Sequence, residues 1–399
     1  MPFRVGQYVT VDKGGVEWHG EIIARLPDAM FQVRVGGTSG GSMITSLVAE
    51  SRISPMLIPR NAPSSPEVIR QTVIGMVLEE TSMQSKSIPE RIAIVENSLN
   101  GFMDIVDEAL PFKENEHRLR GIFLAPEYMF ANVKEAITKT SPSTNKVKVV
   151  PQQHKPQDIR HLDESAMPGL LDKFQNLSAR CRNILIIPGT VAWRRRRSDC
   201  QPSGVDQYHQ AVTGSVTYFP KPSRAELPSD VNSRSLAFRE FYGLVPQTYS
   251  EKISSFDTAD FFAHNTAFVY YNGINVAKYH KIGDYHEVLG RKDTIHIPSV
   301  QPCRFDCGGM KFGLSICLDD DLHATPHGTH VQIQRTSDPV DFHIKLSATA
   351  PARIECTNLL PGGFLLSCDA DDQVCLVKSA TKDIAQFPTK VANLRVFKV

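Results

Sequence analysis

From about residue 70 to the C-terminus, short apolar runs alternate with stretches of helical periodicity, and that alternation admits few architectures. Residues 73–78, 121–125, 184–187, 266–271, 274–279, 311–316 and 342–346 have the apolar, β-branched character of strands. Between the first two runs, Ser87-Ile88-Pro89-Glu90 has the Ser-x-x-Glu order of a capping box. Ile92, Val95, Leu99, Phe102 and Val106 then step by three and four, which predicts a helix. A second apolar stripe, Leu170, Leu171, Phe174, Leu177 and Cys181, predicts another helix before residues 184–187. Strands separated by helices imply a layered α/β domain over residues 70–399.

Residues 1–57 follow another pattern. Short alternating runs at 5–11, 20–23 and 31–35 are punctuated by Gly14-Gly15 and Gly36-Gly37, which predicts a small β barrel. Val5-Gly6 followed by Val9, then Trp18 and Gly20, then Arg52-Ile53-Ser54-Pro55, resembles SH3-like and Tudor-type barrels. Tyr8 and Trp18 read as barrel core. Barrels of this kind also use aromatics to hold peptides, so a protein or peptide partner is expected there. Residues 58–69, with Pro59, Pro63 and Pro66, read as a linker. Two polar, proline-bearing stretches, 138–165 and 194–260, interrupt the α/β alternation and read as insertions.

Composition excludes several classes. Of the 399 residues, 44 are Lys or Arg and 43 are Asp or Glu, so no general electrostatic pull toward nucleic acid or an anionic membrane is expected. No apolar run approaches the roughly 20 residues of a membrane-spanning helix. Met1-Pro2-Phe3-Arg4 opens no apolar signal segment, and eight cysteines are too few for a disulfide scaffold. The expectation is a reduced, cytoplasmic protein.

Three segments each bring a reactive group to a strand end. An apolar run stops at Pro126 and delivers Glu127. Residues 277–280 deliver Lys281, and residues 312–316 deliver Cys317, with Asp319 two residues on. A carboxylate, an ammonium and a thiol are the parts of a nucleophilic site. The carboxylate removes the thiol proton, the sulfur attacks, and the ammonium holds the developing oxyanion. An ammonium beside the sulfur would also favour the thiolate.

These motifs resemble the nitrilase superfamily of carbon–nitrogen hydrolases over residues 70–399. Pro126-Glu127 is similar to its glutamate motif, Tyr279-His280-Lys281 to its lysine motif and Cys317-Leu318-Asp319 to its cysteine motif. Asn265-Thr266-Ala267 and Gly189-Thr190 also match, and Glu287 stands where the family keeps a second glutamate. The resemblance implies a four-layer αββα sandwich, a homo-oligomer, a Glu127–Lys281–Cys317 triad and a thioester intermediate. It implies that the backbone N–H of Leu318 helps hold the oxyanion, and that Glu287 and Asp319 support the triad. It also implies a small-molecule amide substrate and no cofactor. Leu318-Asp319 replaces the Trp-Glu typical of nitrile-cleaving relatives, which favours an amidase over a nitrile hydrolase. The separation of Glu127 from Lys281 exceeds the family's usual one because both insertions lie between them. Residues 320–327 depart from the family's usual Pro-Glu continuation, which alters the pocket wall.

Other readings have their own signals. A scaffold protein that binds through its N-terminal barrel is the alternative of a different class. His323, His327 and His330 have a spacing that suits zinc on a helix, but Pro326 and Gly328 break that helix, so no metal site is expected. Arg194–Arg197 reads as a solvated loop. The insertion 194–260 is expected to cover the pocket mouth, with Trp193, Tyr208, Phe238, Phe241, Tyr242 and Tyr249 supplying aromatic surface.

Overall fold

The computed structural model describes residues 8–13, 16–26, 30–35, 44–49, 53–55, 72–78, 86–112, 118–133, 138–140, 147–149, 159–215, 256–283, 288, 293–299, 302–317, 319, 323–324, 331–332, 337–348, 352, 354–370, 375–380 and 383–399. For residues 8–55 and several short strands it describes the backbone alone. The chain divides into two compact units, Met1–Ala62 and Pro63–Val399.

In the first unit, β1 (Tyr8–Lys13), β2 (Val16–Leu26), β3 (Met30–Val35), β4 (Ile44–Ala49) and β5 (Ile53–Pro55) form one antiparallel sheet, ordered β4-β3-β2-β1-β5. A register shift between Ile22 and Ala24 bends β2. The side chains of Tyr8 and Trp18 and the linker lie outside the described residues.

The second unit begins at a fully buried strand, β6 (Val73–Val77), followed by α1 (Ile88–Ala109). The Glu90 carboxylate accepts hydrogen bonds from the Ser87 N–H and hydroxyl, each at 2.7 Å, which caps α1 as the sequence predicts. Val95, Leu99, Phe102 and Val106 form its buried face. Next come β7 (Gly121–Leu124), α2 (Met167–Ala179), β8 (Ile184–Ile187), β9 (Thr190–Arg196) and α3 (Pro202–Ser215). The hairpin of β10 (Phe261–Tyr271) and β11 (Ile274–His280) and the short β12 (Thr294–His296) follow. Together with β18 (Leu394–Lys398) and two-residue strands at both edges, these strands form a ten-stranded mixed sheet. Its centre, β8-β7-β6, is parallel.

A five-stranded sheet holds β13 (Cys303–Cys307), β14 (Met310–Ile316), β15 (Val340–Ser347), β16 (Leu359–Asp369) and β17 (Leu376–Ser379) in that order. Its centre, β14-β15-β16, is also parallel. One apolar cluster joins the two sheets: Ile74, Ile122, Leu124, Leu185 and Val269 from the larger meet Phe312, Leu314, Ile344 and Leu366 from the smaller. A second cluster packs α1 and α2 on the outer face of the larger sheet through Phe102, Phe123, Phe174 and Tyr270. The described residues thus show an α/β unit of helix, sheet and sheet; among them no fourth, helical layer of the kind the resemblance implies is seen.

Both insertions are described in part. Arg194–Arg196 are not in a loop: they continue strand β9, next to the two-residue edge strand, where Arg194 pairs with Asp163 at 3.0 Å and Arg195 pairs with Glu164. The Arg197 guanidinium donates to the Phe256 carbonyl. Acidic partners and flanking aromatic rings make the run part of the sheet edge, contrary to the solvated loop expected. Val212 and Phe256 of the second insertion build a local apolar cluster with Phe262 of β10 and Ile295 of β12, and Tyr208 packs against it. Trp193, expected at a pocket rim, is buried instead, and its Nε1 donates to the Thr266 hydroxyl at 2.8 Å. Phe238, Phe241, Tyr242 and Tyr249 lie outside the described residues.

Candidate active site

Glu127, Lys281 and Cys317 each stand just beyond a strand, after β7, β11 and β14, at one end of the two sheets. The turn that carries Glu127 is held from three sides. Its N–H donates to the Ser347 carbonyl at 3.3 Å, so the end of β7 is tied to the end of β15 in the other sheet. The Tyr128 N–H donates to the Thr190 hydroxyl at 2.8 Å, and the Phe130 N–H donates to the Thr190 carbonyl at 3.1 Å. Gly189, at φ +102°, makes this possible: a Cβ there would sit 2.5 Å from Met129 Cβ and 2.7 Å from the Pro126 carbonyl.

The Glu127 carboxylate is buried, and its Oε1 accepts from Lys281 Nζ at 2.8 Å and Asn265 Nδ2 at 2.9 Å. Lys281 is 1% exposed, so this is a buried ion pair, favourable only because further polar groups complete it. The Lys281 N–H donates to the Asn265 carbonyl at 2.8 Å, so one asparagine of β10 holds both members of the pair. The Tyr128 ring lies 5.6 Å from Lys281 Nζ.

Cys317 completes the group. It is partly buried and takes φ +54°, an uncommon conformation for a residue with a Cβ and one that recurs at functional sites. Its thiol lies beside the Glu127 carboxylate. Burial pushes the thiol well above its usual range and the adjacent carboxylate adds to that; Lys281 and Lys345 pull the other way without prevailing. The ammonium does pull toward the thiolate, as the sequence leads one to expect, but burial and Glu127 outweigh it. The sulfur rests protonated, next to the Glu127 carboxylate.

Asp319 fastens the lysine turn to the cysteine turn. Its fully buried carboxylate accepts from Tyr279 Oη at 2.8 Å, the Ile282 N–H at 3.0 Å and the Gly283 N–H at 2.9 Å. Burial pushes its pKa up to about 7, against the opposing pull of Lys281 and these donors. On the helix-covered face behind Lys281, the Trp193 indole donates to Thr266, whose hydroxyl lies 2.7 Å from His280 Nδ1. His264 stacks on Trp193 at 4.4 Å and lies 4.5 Å from His280. Burial above all holds His264 and His280 well below the usual imidazole range, so both are neutral there. His296 Nε2 lies 3.1 Å from the Lys281 carbonyl.

Of the residues singled out in the sequence, Glu127, Lys281, Cys317 and Asp319 come together, whereas Glu287 and Leu318 lie outside the described residues. Sequence reasoning passes over Asn265 as a site residue and marks only a strand there. The signal available is a polar residue inside an otherwise apolar strand, where an amide needs a partner. Among the described residues no group of three or more metal-ligating side chains converges. His323 lies on a two-residue strand, and His327 and His330 fall outside the description. A groove lined by Arg196, Arg197, Cys200, Asp206 and Phe261 contains none of the candidate site residues.

No family model and no curated protein matches this chain. Solved structures similar to it include an amidase from Nesterenkonia sp., 12% identical, covering 82% of this chain and 90% of that one at a TM-score of 0.35. A mutant of that amidase showing the result of Michael addition of acrylamide at the active site cysteine is 12% identical, with coverages of 82% and 92% and a TM-score of 0.37. A double mutant in complex with acrylamide is 11% identical, with coverages of 85% and 92% and a TM-score of 0.36. Likeness at these scores does not by itself assign an activity to this chain.

Proposed function

We propose that this chain is a thiol-dependent hydrolase of a non-peptide carbon–nitrogen bond, acting on a small amide through an acyl-thioester. The observation that carries the reading is one buried carboxylate, Glu127, that accepts from the Lys281 ammonium at 2.8 Å and lies beside the Cys317 thiol. Because the sulfur rests protonated, the first step needs a base in contact with it, and Glu127 is that base. As Cys317 Sγ attacks the amide carbon, its proton moves to Glu127 and negative charge gathers on the carbonyl oxygen. Lys281, fixed by Glu127 and Asn265 and itself buried, stabilises that oxygen. Glu127 then returns the proton to the departing nitrogen, ammonia or an amine leaves, and Cys317 remains as a thioester. Water that gives its proton to Glu127 attacks the thioester, the carbon–sulfur bond breaks to free the acid, and Glu127 returns the proton to Cys317 Sγ. Asp319 acts through others, holding the backbone after Lys281.

The test is Cys317→Ala assayed against a panel of short aliphatic amides. Removing the nucleophile should lower kcat by several orders of magnitude with an unchanged far-UV spectrum. Retention of more than about a tenth of wild-type kcat would contradict the reading.

A further inference from the structure

Two cysteines outside the proposed chemistry face each other on the β17 side of the smaller sheet, at the strand end that also carries Cys317. The antiparallel register of β16 and β17 pairs Phe364 with Ser379 and continues to Ser367 with Leu376. One step further along the same register, Cys368 stands opposite Cys375. Both side chains belong to the apolar cluster between the sheets, so they lie on the same face. The Cys375 sulfur lies close enough to that of Cys368 to raise its pKa. Cys368 is fully buried and its Sγ donates to the Val77 carbonyl at 3.7 Å. Cys375 is partly exposed; its Sγ donates to the Asp369 carbonyl at 3.2 Å and accepts from the Asp369 N–H at 3.3 Å. Directly opposed residues of an antiparallel pair have Cα atoms about 4.5 or 5.5 Å apart, and both spacings fall within the range a disulfide spans.

We propose that Cys368 and Cys375 are a redox modification site, a dithiol that closes reversibly to a disulfide with a small dialkyl disulfide as oxidant. The Cys375 thiolate attacks one oxidant sulfur, forming a mixed disulfide and releasing one thiolate. Cys368 Sγ then attacks the Cys375 sulfur and expels the second thiolate, and the two cysteine protons end on the two released thiols. The oxidant gains two electrons and the protein loses them. Burial raises the Cys368 thiol well above its usual range, so the second step waits on its proton and runs faster as pH rises. The bond would close next to the site's backbone: the Ala370 N–H donates at 3.2 Å to the Ser347 carbonyl, which also accepts the Glu127 N–H.

The experiment exposes the full chain to oxidised mercaptoethanol, blocks remaining thiols with a maleimide and maps peptides by mass. The expected product is a linked pair of peptides carrying Cys368 and Cys375, lighter by two hydrogens than the separate peptides and restored by reductant. In Cys368→Ala the mercaptoethanol adduct should instead persist on Cys375, and in Cys375→Ser no linked pair should form. Wild-type protein in which both cysteines carry maleimide overturns the proposal. So does a mercaptoethanol adduct that persists on wild-type Cys375.

Discussion

Lys281 and Asp319 sit close together at the site but do different work, and substitution separates them. Lys281→Met removes the proposed oxyanion donor, and single-turnover acylation should slow by at least about a hundredfold. It also takes away the cation that neutralises the buried Glu127, so unfolding should become easier by about 3–5 kcal/mol. Wild-type acylation by this variant would make Lys281 structural only. Asp319 bears on pH. Its pKa is about 7 in the folded chain and about 4 when unfolded, so between those values the folded state holds the extra proton. Its contribution is therefore favourable at low pH and is lost as pH rises toward 7. Thermal unfolding from acid to neutral pH should show wild type losing stability relative to Asp319→Asn. A constant difference between the two across that range would contradict the assigned shift.

At the level of elements, three reactive groups work together because three unrelated connections end at the same edge of two packed sheets. Gly189 is the tightest of these junctions. Gly189→Ala should cost about 1–3 kcal/mol for its positive φ alone, and displacing Met129 should pull the Glu127 turn off Thr190. Loss of amide turnover together with lowered thermal stability is the expected result; an unaffected variant would show that this turn does not fix Glu127. Strand ends are legible in the sequence because Pro126, and the polar residues after 280 and 316, interrupt apolar runs. The α1 cap and its buried stripe are legible because a helix announces both by period. Asn265 is not: a side chain that bonds across to another strand leaves no local periodicity. The resting state of Cys317 is not legible either, because burial and Glu127 outweigh the nearer-seeming logic of an adjacent ammonium. The arginine run reads wrongly as a loop because its partners, Asp163 and Glu164, lie thirty-one residues away in the chain.

For the whole molecule, the account places the chemistry entirely in the unit Pro63–Val399 and treats Met1–Ala62 as a separable module. Deleting residues 1–62 should leave kcat and KM for a small amide unchanged, and a soluble but inactive truncation would assign the first unit a part in the site. The central claim is a covalent one, that the acyl group passes through Cys317. It is tested most directly by mixing full-length protein with a reactive short amide or acyl ester, quenching in acid within one turnover and mapping the added mass. The account predicts an acyl adduct on the peptide carrying Cys317, released by hydroxylamine and absent from Cys317→Ala. Hydrolysis that proceeds without that adduct, and equally well in Cys317→Ala, would contradict it.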